Sequence, residues 1–193
     1  TMKPGDTSTF QYSNTNFLLL GMIAEKASCN TASGCKTIDQ IITDNVITPL
    51  GLSTTTYPTG ATYDGPHTDT TWNIYGTLID FTDSTPSVPN SAGAMISTVT
   101  DQLDWLIELT TNAKGTLSAS TFAERKDMTN DLNGNVAGIQ SGYGLALYGS
   151  TSSTTGATTL GHGGEISGAQ TLMFQFPESN LFIVGDINTF LSV

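Results

Sequence analysis

Apolar residues in the first part of the chain recur at helical spacing. Phe17, Leu20, Ile23, Ala24 and Ala27 share one face of a helix that Asn14 and Thr15 can cap and that runs to about Ala27. Thr37, followed three residues on by Gln40, is a capping box. It opens a second helix that buries Ile38, Ile41, Ile42 and Val46 and ends before Pro49, which cannot easily continue it. From Ser53 to Ala94 the period is lost. Thr, Pro, Gly and Asp dominate there, with candidate strands over residues 67–72 and 78–81 around a Tyr75-Gly76 turn. A connection this long lines a functional site or carries small structure of its own.

Helical spacing returns with Leu103, Trp105, Leu106, Ile107 and Leu109 after a cap at Thr98 or Thr100. Thr121 with Glu124 predicts a short fourth helix over residues 122–128. Beyond Gly142 the pattern becomes strand-like, over residues 143–148, 158–161, 169–176 and 181–187. Pro177-Glu178-Ser179-Asn180 supplies the last hairpin connection. Helices followed by an antiparallel meander predict an α+β chain. Residues 1–140 read as mainly helical with the long loop 53–94, and residues 141–193 as sheet.

Charge narrows the partners. Six basic residues against seventeen acidic give a net charge of -11 and a pI near 4.1. Such a surface repels phosphate backbones and excludes a nucleic-acid partner. The longest apolar stretch, residues 17–24, falls far short of the roughly 20 residues of a membrane span. Cys29 and Cys35, the only cysteines, flank a short turn-prone loop and can close a small disulfide; the alternative is two free thiols in a reducing compartment. Scarce lysine and abundant threonine point to a secreted or periplasmic protein. Two sulfurs with only His67 and His162 elsewhere make a poor zinc set, so no metal or other cofactor is expected.

Two segments carry chemistry. Tyr12-Ser13-Asn14 stands at the start of the first helix, and Gly161-His162-Gly163-Gly164-Glu165 runs along a strand. A glycine pair beside a histidine lets another backbone approach closely, as a substrate would need. Alone, they are better read as a packing tyrosine and a plain turn. Their surroundings change that reading. Tyr12-Ser13-Asn14, Leu20-Gly21, Pro49-Leu50-Gly51-Leu52, Ala92-Gly93-Ala94-Met95-Ile96-Ser97-Thr98, Gly142-Tyr143-Gly144-Leu145, Gly161-His162-Gly163-Gly164 and Pro177-Glu178 follow one another in order. In that order the chain resembles serine β-lactamases, penicillin-binding D-alanyl-D-alanine carboxypeptidases and related esterases, most closely the branch with class C β-lactamases.

The resemblance implies an incomplete β-lactamase/transpeptidase-like fold, without its first strands and closing helix. It also implies a serine hydrolase working through an acyl-enzyme on a small peptide, ester or amide. Tyr12 would share proton transfer with the nucleophilic serine, which needs a phenol pKa lowered from about 10 by nearby cations. A lysine and His162 are the expected cations. Asn14 would orient the substrate and hold that lysine, and Ser13 would be structural. Gly163 and Gly164 would leave room for substrate, and the Glu165 N–H would be an oxyanion donor, with its carboxylate pointing away. Histidine in place of the lysine common in β-lactamases shifts the expectation towards carboxypeptidase or esterase chemistry. The family's Ser-x-x-Lys should lie well upstream of Tyr12, in an amino-terminal part of the same protein that would then be a partner of this chain. The one Ser-x-x-Lys present, Ser33-Gly34-Cys35-Lys36, falls after Tyr12 inside the cysteine loop and is a chance match. From another class, a non-catalytic domain that binds a peptide or a protein partner would reuse the same fold.

Overall fold

The computed structural model describes residues 10–29, 34–128 and 139–191. Its helices are α1 (Asn14–Ala27), α2 (Ile38–Ile42), α3 (Thr48–Leu50), α4 (Val99–Thr111) and α5 (Ala119–Arg125). Its strands are β1 (Thr71–Ile74), β2 (Thr77–Asp80), β3 (Ile139–Tyr143), β4 (Tyr148–Ser152), β5 (Thr158–Ile166), β6 (Ala169–Phe176), β7 (Leu181–Ile187) and β8 (Thr189–Leu191). One sheet has the order β2-β1-β8 and the other β3-β4-β5-β6-β7, a meander in chain order. This is the α+β architecture the pattern predicts.

The described residues form two compact units. Residues 10–12, 105–162 and 172–184 make the first, and residues 13–104, 163–171 and 185–191 the second. In the first, Leu109, Leu147 and Leu160 form the apolar cluster, with Trp105 and Met128 packed against it. The hairpin of β3 and β4 corrects the expected single strand over residues 143–148. The chain turns there: Gly144 N–H donates to the Leu147 carbonyl at 2.9 Å, Ala146 takes φ 56, and Tyr143 pairs with Tyr148. Glycine permits the bend. A Cβ on Gly144 would collide with the Arg125 carbonyl oxygen, and one on Gly142 would stand 2.8 Å from that of Met128. Helix α5 starts earlier than its sequence cap suggested, because the Ser118 hydroxyl accepts the Thr121 N–H at 3.2 Å.

In the second unit α1 is capped by Ser13, not by Asn14 or Thr15. Ser13 holds extended backbone (φ -149, ψ 125), and its hydroxyl accepts the Thr15 N–H at 3.3 Å. Gly21 is the buried residue of this helix. It makes room for Ser91, whose hydroxyl donates to the Phe17 carbonyl at 2.9 Å. The capping box of Thr37 and Gln40 opens α2, and the Ile38 N–H donates to Glu25 of α1 at 2.8 Å. Contrary to expectation the helical path does not end before Pro49. It widens into a π-turn over Thr43–Ile47 and re-enters α3, where Pro49 sits in the first turn. A first-turn residue needs no N–H, so the ring is tolerated. Gly51, at φ 69, ends the run.

The long loop carries structure. Tyr75 (φ 49) and Gly76 (φ 87) are both left-handed, as a two-residue turn between β1 and β2 requires. The first of these strands begins at Thr71, later than the pattern suggested. Asp101 anchors the loop's beginning: its buried carboxylate accepts the Thr54 N–H at 2.8 Å and the Thr55 hydroxyl at 2.9 Å. Burial pushes that carboxyl's pKa up, but these bonds outweigh it and hold it below the ordinary value. Cys29 and Cys35 are joined as a disulfide. Ser33 lies outside the described residues, while Lys36 is paired with Asp44 at 2.8 Å. Among the described residues no helix is long and apolar enough to cross a membrane.

Glu108 of α4 is a buried carboxylate of the first unit, 1% exposed. It accepts the Lys114 N–H at 2.7 Å, the Thr116 N–H at 3.0 Å and the Thr116 hydroxyl. Burial raises its pKa, yet the hydrogen bonds and the Lys114 charge lower it further, so the net direction is down. A depressed folded-state pKa contributes stability above the unfolded value, lost as pH falls through the folded one. Glu108→Ala leaves two backbone donors without their acceptor and is expected to cost about 2–3 kcal/mol in urea unfolding at neutral pH. The loss should shrink as pH is lowered below the carboxylate range. A cost under about 0.5 kcal/mol, or one independent of pH, would contradict this account.

Candidate active site

Strand β5 carries His162 in the first unit, and three phenols surround it. Tyr143, at the end of β3, brings its hydroxyl to 2.9 Å from His162 Nε2. Tyr148, opening β4, lies with its ring centroid 4.9 Å from the imidazole. Tyr12, just before α1, lies 6.0 Å away. Tyr143 is the centre of the group. Its ring meets Tyr148 edge-on at 4.6 Å, Phe10 at 5.2 Å and Tyr12 at 6.0 Å. The strand register explains the assembly: Tyr148 pairs with Tyr143 on one side and with Gly161 on the other. The hairpin and the neighbouring strand thus deliver two tyrosines and the histidine to one place.

Burial sets the acidity of these groups. Tyr143 is 7% exposed, and burial first, then the Tyr12 and Tyr148 phenols, drive its pKa far above the ordinary value. Tyr12 is 39% exposed; burial, and secondarily Tyr148, raise its pKa as well. Both phenols keep their protons near neutrality and are able to donate hydrogen bonds. A role for Tyr12 in accepting a proton therefore needs a cation to reverse the shift.

The glycines around His162 are not equivalent. A Cβ on Gly161 would collide with the Met173 carbonyl oxygen of β6 and approach the Phe174 ring, so close strand packing accounts for this glycine. In the second unit, a Cβ on Gly163 would meet only the Thr171 carbonyl oxygen, at 3.4 Å, among the described residues. One on Gly164 would meet the Thr171 hydroxyl at 2.6 Å, a group that can rotate. Among the described residues, packing therefore accounts for Gly161 far more than for Gly163. Glu165 is exposed, and the Gln170 side-chain amide reaches its carboxylate at 3.5 Å. Asn14 is the first residue of α1 and is exposed. His67 lies in the long loop, its Nδ1 2.8 Å from the Gly65 carbonyl and its ring against Tyr63.

The structure thus brings Tyr12 and His162 together and adds two residues that the sequence reading did not single out. Tyr143 had appeared only as part of a glycine-tyrosine-glycine pattern, and Tyr148 only as a strand residue. The signal was present in retrospect: a tyrosine between two glycines is an aromatic anchor with room cleared on both sides. Of the loop aromatics, the Tyr57 hydroxyl donates to Asn90 at 3.3 Å, Trp72 meets the Phe81 ring at a tilt, and Tyr75 is 90% exposed at the hairpin tip.

A family model described as Beta-lactamase matches residues 3–192. Among solved structures, a D-stereospecific amidohydrolase from Streptomyces sp. is 26% identical, with a TM-score of 0.77 over 94% of this chain and 51% of its own. A D-amino acid amidase from Ochrobactrum anthropi SV3 is 21% identical, with a TM-score of 0.72 over 96% of this chain and 52% of its own. An octameric penicillin-binding protein homologue from Pyrococcus abyssi is 20% identical, with a TM-score of 0.78 over 97% of this chain and 40% of its own. The chain spans about half the length, or less, of these matched structures.

The two glycines beside His162 should separate on substitution. Gly161→Ala is expected to lose about 2–3 kcal/mol, since the added methyl forces β5 from β6. Gly163→Ala should stay within about 1 kcal/mol of the wild type. Thermal unfolding checks both, and equal losses would refute the packing distinction.

Proposed function

Because the chain belongs to the Beta-lactamase family, we propose that it carries the Tyr-x-Asn and His-Gly-Gly elements of a serine hydrolase that works through an acyl-enzyme. The observation that carries the reading is the approach of Tyr12 and His162, whose ring centroids are 6.0 Å apart. They come from motifs separated by nearly the whole chain. A hydrolase function is further supported by the 26%-identical D-stereospecific amidohydrolase. On that support we take the substrate class to be a small peptide, ester or amide, with amides of D-amino acids as the first to try.

In this reading the nucleophilic serine belongs to the family's Ser-x-x-Lys element, in a part of the protein outside these 193 residues. Tyr12 passes the serine's proton towards the leaving group. Its phenol keeps its proton near neutrality and can present it to a departing amine. To work in the other direction it requires a neighbouring cation, the role we assign to the lysine of that element. Asn14 orients the substrate carbonyl or amide. Gly163 and Gly164 leave space along β5 for substrate backbone, and the Glu165 N–H serves the developing oxyanion. The disulfide between Cys29 and Cys35 supports an extracellular or periplasmic site of action.

The full-length protein carrying this sequence is expected to label with a fluorophosphonate probe or a fluorescent penicillin. Tyr12→Phe should slow labelling by at least about a hundredfold, the range of a lost proton relay. A folded full-length protein that never labels, and turns over neither D-amino acid amides nor esters, would favour the non-catalytic binding domain instead.

A further inference from the structure

We propose that Tyr143 is the positioning residue of His162: its hydroxyl donates to Nε2, fixing the ring plane and keeping the imidazole's proton on Nδ1. The inference rests on the reading of His162 as a site residue and names what that histidine can offer there.

The geometry carries it. Tyr143 Oη stands 2.9 Å from Nε2, within normal hydrogen-bond distance. The phenol has little access to water, being 7% exposed, and a buried hydroxyl needs a partner. Its position is over-determined. Gly142 and Gly144 clear the path of its strand beneath Arg125 and Met128, and the rings of Phe10, Tyr12 and Tyr148 pack around it. A donor held this firmly selects one tautomer of the ring it touches.

The acidity of the group fits the direction of the bond. Among the described residues, the phenols of Tyr12, Tyr143 and Tyr148 are in ring contact with His162. Burial pushes the Tyr143 phenol up, so its proton stays in place as a donor. A neutral imidazole accepting at Nε2 cannot also be the cation that activates Tyr12. Activation is then left to the lysine. Tyr148 contributes by ring contact, so its hydroxyl is not expected to matter for the tautomer.

The test is long-range 15N NMR of the full-length protein, with His67→Gln to separate the two imidazoles of this chain, alongside steady-state kinetics on a D-amino acid amide. In the wild type His162 should appear as the Nδ1–H form. Tyr143→Phe should give a mixture of tautomers and lower kcat about tenfold, with KM changed less than about twofold. Tyr148→Phe should leave the tautomer as it was. An Nε2–H form in the wild type overturns the proposal, even if Tyr143→Phe does not fold. So does an unchanged tautomer or unchanged kcat in Tyr143→Phe, or the same tautomer change in Tyr148→Phe. If His162→Ala turns over substrate as fast as the wild type, the functional reading fails, while the spectra still judge the hydrogen bond.

Discussion

A buried phenol that must find a partner organises the first unit. Tyr143 has given up nearly all its contact with water, and its hydroxyl meets His162 Nε2 at 2.9 Å. To bring the two together, β3 has to turn at Gly144, β4 has to start at Tyr148, and β5 has to lie close enough to β6 that residue 161 tolerates no side chain. Each of these is a backbone constraint met by a glycine or a left-handed residue. The aromatic cluster is therefore a consequence of strand register, and its chemistry follows from its burial.

Electrostatics in this chain works with few cations. Six basic residues cannot neutralise seventeen acidic ones, and Asp101 and Glu108, the buried carboxylates among the described residues, do not rely on ion pairs as their main support. Asp101 takes its bonds from Thr54 and Thr55, and Glu108 from Lys114 and Thr116 backbone donors and a threonine hydroxyl. Threonine is abundant where it is needed. Oriented N–H and O–H dipoles thus do what arginine and lysine do in more basic proteins, and each bond also ties a loop to α4.

Much of the fold was legible in the residues. The capping box at Thr37 and Gln40, the turn at Tyr75-Gly76 and strands β6 and β7 depend on local chemistry, and local chemistry is what a sequence displays. The misreadings share a cause. Ser13 competed with Asn14 and Thr15 for one cap, and only the backbone conformation decides between such neighbours. Pro49 was expected to stop a helix, but a π-turn shifted the hydrogen-bond register so that its missing N–H fell in a first turn. At residues 143–148 an apolar, strand-like run concealed a turn, because Ala146 adopts a left-handed conformation that its side chain does not advertise. For the candidate site, the pairing of Tyr12 with His162 followed from motif order. The central place of Tyr143 did not, since it depends on which strands are neighbours.

The covalent link between Cys29 and Cys35 bridges the segment between α1 and α2. A protease that cut any peptide bond in that interval would not divide the molecule: the two pieces would migrate as one species until a reductant was added. Exposure to thiols would thereby decide whether such a nick is silent or severs α1 from everything that follows it.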